Sequence, residues 1–191
     1  LHPKIHSGIL FKRGKKTHKN QMRKRKFEPI DLVIVNFYPF EKTIKKSSNK
    51  DKIIENIDIG GPSMVRAAAK NFKSVTIVTD KEDYSELIKE IRKYKGRTTL
   101  NFRKKMASKA YSLTAYYDAI VSEWFNRDIG LEFPERKIFF GKKIGKLRYG
   151  ENPHQKSSIY INSLKNNDIN LQQLSGKDLS YNNYNDIFAG L

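Results

Sequence analysis
Two short apolar runs, Ile30 to Phe37 (IDLVIVNF) and Ser74 to Thr79 (SVTIVT), limit the folds open to this chain. Both are rich in β-branched residues and too brief for core helices. Each therefore reads as a strand buried on both faces of a parallel sheet. Parallel strands need long crossovers, and helical patterns supply them. Residues 41 to 56 read as one polar, charged helix. Ile57-Asp58-Ile59 reads as a strand leading into Gly60-Gly61-Pro62-Ser63 and a helix from Met64 to Asn71. Asp80 is placed to cap a helix from Lys81 to Tyr94 with Leu87, Ile88 and Ile91 on its apolar face. Thr98 is placed to cap a long helix reaching Asn126, along which Met106, Ala110, Leu113, Tyr117, Ile120 and Trp124 form one stripe. This order predicts an α/β fold: an open parallel sheet with helices on both faces and right-handed crossovers, its first strand preceding Leu1.

From Arg127 to Lys146 the pattern breaks into a connector containing Pro and Lys. Leu147 to Gln155 is dense in turn residues, Ser158 to Asn162 reads as a short strand, and Asp186 to Leu191 reads as the opening of a helix. The expected division is a domain over 1–130, a linker over 131–146 and the start of a second domain over 147–191. A chain that opens on Leu1 and closes within a helix reads as a fragment.

Composition narrows the function. There are 38 Lys and Arg against 20 Asp and Glu, a net charge of +18, and ten of the basic residues lie before the first acidic one, Glu28. A nucleic-acid partner is one reading of such charge. Yet Lys outnumbers Arg 28 to 10, no nucleic-acid motif accompanies the basic runs, and no exposed aromatics interleave them. A solvated Lys-rich surface that attracts small phosphorylated molecules is the expected outcome, with no nucleic-acid partner. The absence of cysteine excludes a disulfide scaffold, a thiol nucleophile and Cys-ligated metal. His2, His6, His18 and His154 lack zinc-ligand spacing, so no metal is expected. No apolar run approaches membrane-span length, and a cytoplasmic setting is expected.

Four groups of residues have the makings of a site. In Asp58-Ile59-Gly60-Gly61, the glycines either let backbone N–H groups approach a ligand at a helix N-terminus or form a tight turn needing positive φ. Asp58 either accepts from a substrate amide or caps the helix. Arg66 and Lys70, four apart, share a helical face. The charge of Arg66 favours a neutral Lys70, a candidate acid or base, while a solvated pair is the plainer reading. Lys70 lies roughly 12 Å along the axis from Pro62, so a ligand touching both ends must run along the helix. Val35-Asn36-Phe37-Tyr38 puts an amide and a phenol at the carboxyl end of a strand, where open α/β sheets bind ligands, although Tyr38 also reads as a core tyrosine. Last, Arg148 in LRYGENPHQ is able to hold a phosphate bidentately.

Together, Leu1 to Leu10 (LHPKIHSGIL), Val35 to Phe40 (VNFYPF), Ile57 to Asn71 (IDIGGPSMVRAAAKN) and Leu147 to Gln155 (LRYGENPHQ) resemble, in order and spacing, motifs of one family. It is the bifunctional purine biosynthesis family that joins an aminoimidazole carboxamide ribotide (AICAR) transformylase to an inosine monophosphate (IMP) cyclohydrolase. Leu179 to Asn183 (LSYNN) resembles a further motif, and the resemblance spans essentially the whole chain. It implies a methylglyoxal-synthase-like fold for the first domain and a cytidine-deaminase-like fold for the second. It implies formyl transfer from the co-substrate 10-formyltetrahydrofolate to AICAR, then cyclisation of formyl-AICAR to IMP without a cofactor, in a cytoplasmic homodimer. The implied catalytic residues are Lys70, Tyr38 and Asp58. Val35, Asn36, Ile59 and Gly60 are the implied nucleotide contacts of the cyclohydrolase, and Arg148, Tyr149 and Asn183 the implied AICAR contacts of the transformylase.

By the same resemblance, the transformylase Lys-His pair lies beyond Leu191 and a phosphate-binding segment precedes Leu1. Ser7 stands where Gly or Ala is common, and residues 12–26 are more basic than the family pattern. Two other classes stay open: a non-catalytic regulatory domain binding a purine ribotide on the same fold, and a basic nucleic-acid-binding module.

Overall fold
A computed structural model describes residues 2–162, 164 and 173–190. Leu1 of the Leu-His-Pro string and Leu191 of the expected last helix lie outside the described residues. The chain divides into two units, 1–134 and 135–191.

In the first unit, helices α1 (Pro3–Leu10) and α2 (Lys16–Lys24) precede strand β1 (Leu32–Ile34). Helices α3 (Phe40–Lys46), α4 (Lys50–Glu55) and α5 (Gly60–Lys70) lead to strand β2 (Thr76–Val78). A short 3-10 turn (Lys81–Asp83) then opens α6 (Tyr84–Lys93), and α7 (Leu100–Asp128) closes the unit. β1 and β2 pair in parallel with Val33 opposite Ile77, which establishes the α/β class. β2 is buried throughout, as its β-branched run predicts. β1 is not: only Val33 is in the core, while Leu32 and Ile34 are 38% and 46% exposed. Helices α5 and α7 and strand β1 surround β2. The core covers the Val33 side of β1 alone, so the alternate residues Leu32 and Ile34 turn to solvent.

Further expectations are corrected. The single helix over 41–56 is two, because Asn49 accepts the Lys52 N–H at 3.0 Å and so starts α4 afresh. Ile57 to Ile59 form no strand, and α5 begins at Gly60 rather than Met64. Thr99, not Thr98, caps α7 by accepting the Phe102 N–H at 3.2 Å. Thr98 instead shares a 2.7 Å hydrogen bond with the Thr76 hydroxyl. On α6, Leu87 is buried as expected, whereas Ile88 is exposed.

The core is made where α5 crosses the sheet and α7. Ala67, Ala68 and Ala69 are all buried there, small enough to let backbones approach closely. Val65, Ile77, Phe102, Met106 and Ala110 fill the remaining space. Polar side chains then lock the periphery. Asn71, at the end of α5, donates from Nδ2 to the carbonyls of Ile9 (2.7 Å) and Phe11 (3.2 Å), tying α1 to α5. Gly8 lets α1 approach the segment before β1, where a Cβ would lie 2.7 Å from the Glu28 carbonyl oxygen. Arg13 donates to the Ile30 carbonyl and the Asp31 carboxylate, both at 2.8 Å.

Arg103 holds the turn between α5 and β2 through the carbonyls of Phe72 (2.8 Å) and Lys73 (3.1 Å), and it also reaches the Thr98 carbonyl. It is an exception to the solvated surface expected of the basic runs. Glu90 accepts the hydroxyl and the N–H of Thr99, and these hydrogen bonds hold its carboxyl below the usual carboxylate range. No described helix is long and apolar enough to cross a membrane.

In the second unit, β3 (Lys142–Lys146) pairs antiparallel with β4 (Ser158–Ile161), with an irregularity between Lys143 and Gly145. The run read as a connector therefore contains a strand. Helix α8 (Tyr181–Ala189) starts five residues before Asp186, because Ser180 and Asn183 form a reciprocal capping box.

Replacing Asn71 by Ala leaves the Ile9 and Phe11 carbonyls without their donor. The expected cost is about 1–3 kcal/mol, read as a lower midpoint in denaturant unfolding. An unchanged midpoint would show that α1 is held by apolar contact alone.

Candidate functional site
The first cluster lies at the carboxyl end of β1. Phe37 and Phe40 flank Tyr38 and pack edge-on against Tyr117 of α7, with ring centroids 5.1 and 6.1 Å away. Phe40 also meets Trp124 at 6.2 Å. These anchors fix the loop and leave Tyr38 outward, 58% exposed, which overturns its reading as a core tyrosine.

Asp58 knots this loop to α5. Its carboxylate accepts the Gly61 N–H at 2.7 Å and the Tyr38 N–H at 3.3 Å, while its own N–H donates to the Tyr117 hydroxyl at 2.7 Å. Gly61 adopts no positive φ, so the tight-turn reading of the glycine pair falls away. Its requirement is steric, since a Cβ there would collide with the Asp58 carboxylate. A carboxylate thus already sits at the positive end of α5, where an anion is stabilised. Burial pushes the Tyr117 phenol above its usual range, outweighing the Asp58 N–H that favours the phenolate. The hydroxyl therefore stays protonated at neutral pH.

Asn36 lies beside this knot. Its Nδ2 donates to the Thr79 carbonyl (3.1 Å) and its Oδ1 accepts from the Tyr84 hydroxyl (3.3 Å), so it joins the ends of both strands to α6. The Val35 N–H continues the ladder to Val78 at 3.1 Å. Ile59 is exposed and Gly60 is half-buried at the start of α5.

Lys70 is not brought to this cluster. It is exposed on the last turn of α5, about 15 Å along the axis from Gly60 by helix rise. The Arg66 guanidinium is ion-paired with Asp118 of α7. Two contributors escaped sequence reasoning, Tyr117 and Tyr84. The one signal was a tyrosine inside an apolar helical stripe, since a buried phenol needs a hydrogen-bond partner.

A second cluster forms in the unit 135–191. Arg148 donates to the Tyr149 hydroxyl at 3.2 Å, and its guanidinium lies 4.9 Å from that ring's centroid. Hydrogen bonds from Arg148 and Ser180, together with the Arg148 charge, hold the Tyr149 phenol below its usual range. The Arg148 N–H meets the Leu179 carbonyl at 3.0 Å and the Tyr181 N–H meets the Tyr149 carbonyl at 3.1 Å. This clasp carries Arg148 and Tyr149 to the start of α8. Asn183 is there, its Oδ1 accepting the Ser180 N–H at 3.0 Å. All three residues expected to touch AICAR therefore converge. Gln155 closes the intervening loop by accepting the Gly150 N–H on its carbonyl (2.8 Å) and the Asn152 N–H on Oε1 (2.9 Å).

Known proteins resemble this chain along its whole length. Proteins named bifunctional purine biosynthesis protein PurH are similar to it. The one from Bradyrhizobium diazoefficiens is 49% identical over 190 residues, 99% of this chain and 36% of that protein. The Persephonella marina protein is 46% identical over 196 residues (100% and 38%), and the Clostridioides difficile protein 47% over 192 (100% and 37%). The chain thus spans 36 to 38% of the length of these relatives. The crystal structure of ForH superposes with a TM-score of 0.55 at 31% identity, covering 63% of this chain and 62% of that one. The sequence model of the AICARFT/IMPCHase bienzyme matches residues 68–191, from within α5 through the whole Arg148 cluster. With well over half of its residues matched, and with the motifs of both clusters in place, this chain belongs to the AICARFT/IMPCHase bienzyme family.

Proposed function
We propose that residues 1–130 form most of an IMP cyclohydrolase domain of methylglyoxal-synthase-like fold. Residues 131–146 link it to the opening of a cytidine-deaminase-like AICAR transformylase domain over 147–191. In the whole protein, a cytoplasmic homodimer, the second domain moves a formyl group from 10-formyltetrahydrofolate to AICAR. The first closes formyl-AICAR to IMP. Family membership supports this enzyme over a regulatory ribotide-binding domain or a nucleic-acid module.

Ring closure joins the carboxamide nitrogen to the formyl carbon within one molecule, and water leaves. Holding the two groups together supplies much of the acceleration, so the protein needs hydrogen-bond donors at the developing oxygen and a route for the proton. The observation that carries the reading is the Asp58 knot. It fixes the Tyr38 backbone against the start of α5 and leaves the phenol facing outward at the carboxyl end of the strands. Tyr38 donates to the formyl oxygen as it gains charge, and Asp58 orients the loop and the substrate amide. Val35, Asn36, Ile59 and Gly60 line the nucleotide's path. Lys70, matched through the IDIGGPSMVRAAAKN string, exchanges the proton with a ligand lying along α5. In the transformylase, Arg148, Tyr149 and Asn183 hold AICAR.

Ring closure is followed by ultraviolet absorbance with the full-length protein. The Lys70→Ala variant is expected to lose about 100-fold or more in kcat while formyl transfer is unchanged. Equal loss of both activities would remove Lys70 from the mechanism, and a folded wild-type protein without ring closure would remove the cyclohydrolase reading.

Tyr117 acts through Asp58. Tyr117→Phe deletes the acceptor of the Asp58 N–H and is expected to lower kcat of ring closure by about tenfold with KM little changed. An equal rise in KM would point instead to general loosening of the loop. Arg148→Ala is expected to raise KM for AICAR by about tenfold in formyl transfer and to spare ring closure.

A further inference from the structure
Asn36, expected to touch the nucleotide at the carboxyl end of β1, has an amide that is held at both ends. Its Nδ2 donates to the Thr79 carbonyl at 3.1 Å, and its Oδ1 accepts from the Tyr84 hydroxyl at 3.3 Å. These two contacts settle which way the amide faces. A backbone carbonyl only accepts, so the group that meets Thr79 is the amide nitrogen, and the amide oxygen is left for Tyr84. A phenol both donates and accepts, so toward that oxygen it donates.

Both partners are anchored in turn. Thr79 directly follows β2, whose Val78 carbonyl accepts the Val35 N–H at 3.1 Å. Tyr84 opens α6 with its ring packed against the hydrophobic core. Just before it, the buried Asp83 is paired with Lys109 of α7 at 2.6 Å, and Asp80 accepts the Glu82 N–H at 3.0 Å. The Tyr84 hydroxyl is therefore a fixed donor, and removing it would leave the ring in its packing while freeing the Asn36 oxygen. Held between Thr79 and Tyr84, Asn36 is half-buried and keeps one Nδ2 hydrogen without a partner among the described residues. With its oxygen turned to Tyr84, it offers a ligand a donor, and the complementary ligand atom is an acceptor.

We propose that Tyr84 is a positioning residue for ring closure: its hydroxyl fixes the Asn36 amide so that Nδ2 donates to a hydrogen-bond acceptor of the nucleotide. This rests on the reading of Asn36 as a nucleotide contact of the cyclohydrolase, and it adds the direction of that contact and the residue that sets it.

The test is a double-mutant cycle in the full-length protein, reading kcat and KM for formyl-AICAR in ring closure. Tyr84→Phe keeps the packed ring and deletes the hydroxyl. It is expected to raise KM about fivefold with kcat within about twofold of wild type. Asn36→Ala is expected to raise KM about tenfold, and so is Asn36→Asp, which keeps the size of the side chain but has no donor. In the Asn36→Ala background, Tyr84→Phe is expected to change nothing further, because a hydroxyl that acts through the amide has nothing left to hold. A general loosening of α6 would instead add its full effect there. An unchanged KM in Tyr84→Phe, a loss confined to kcat, full additivity in the double variant, or a wild-type KM in Asn36→Asp would each overturn the proposal. The two readings separate in the single variants. A wild-type KM in Asn36→Ala removes Asn36 from the nucleotide site and the role of Tyr84 with it, whereas an effect of Asn36→Ala without one of Tyr84→Phe removes the role of Tyr84 alone.

Discussion

Asp58 gathers three segments of the chain, through its carboxylate and its backbone N–H. It accepts from Tyr38 after β1 and from Gly61 at the start of α5, while its backbone N–H reaches Tyr117 on α7. Each neighbouring residue choice follows from that arrangement. Glycine stands at 61 because a methyl group would displace the carboxylate. Tyrosine rather than phenylalanine stands at 117 because the Asp58 N–H needs an acceptor. Phe37 and Phe40 pin the loop from either side, so that Tyr38 alone of the three aromatics turns outward.

Part of the large positive charge serves the fold. Arg103 gathers carbonyls at the α5–β2 turn, Lys109 and Lys105 pair with Asp83 and Glu86 across α6 and α7, and Lys50 pairs with Asp128. Arg66 pairs with Asp118. Most of these pairs are exposed and individually weak, but they direct charge along helix faces rather than toward one groove.

Periodicity and β-branching are local properties, and the elements they govern were legible: β2, the α7 stripe through Met106, Ala110, Tyr117 and Ile120, and the parallel α/β class. Side-chain caps were less so. The break at Asn49 and the early start of α8 both turn on a single side chain competing for backbone N–H groups, which averages over a window hide. β1 was misread as buried on both faces, because its composition reports apolar character and not how many neighbours cover it. The site motifs are legible as strings, yet the partnership of Asp58 with Tyr117 spans 59 residues and leaves no local trace.

That span bears on the order in which the molecule assembles. The contacts of Glu90 with Thr99 and of Glu86 with Lys105 join residues only 9 and 19 apart in sequence. The Asp58 knot cannot form until β1, α5 and α7 have all come together, after the entropy of closing long loops has been met. A chain that has collapsed without that register therefore has the helices but no site.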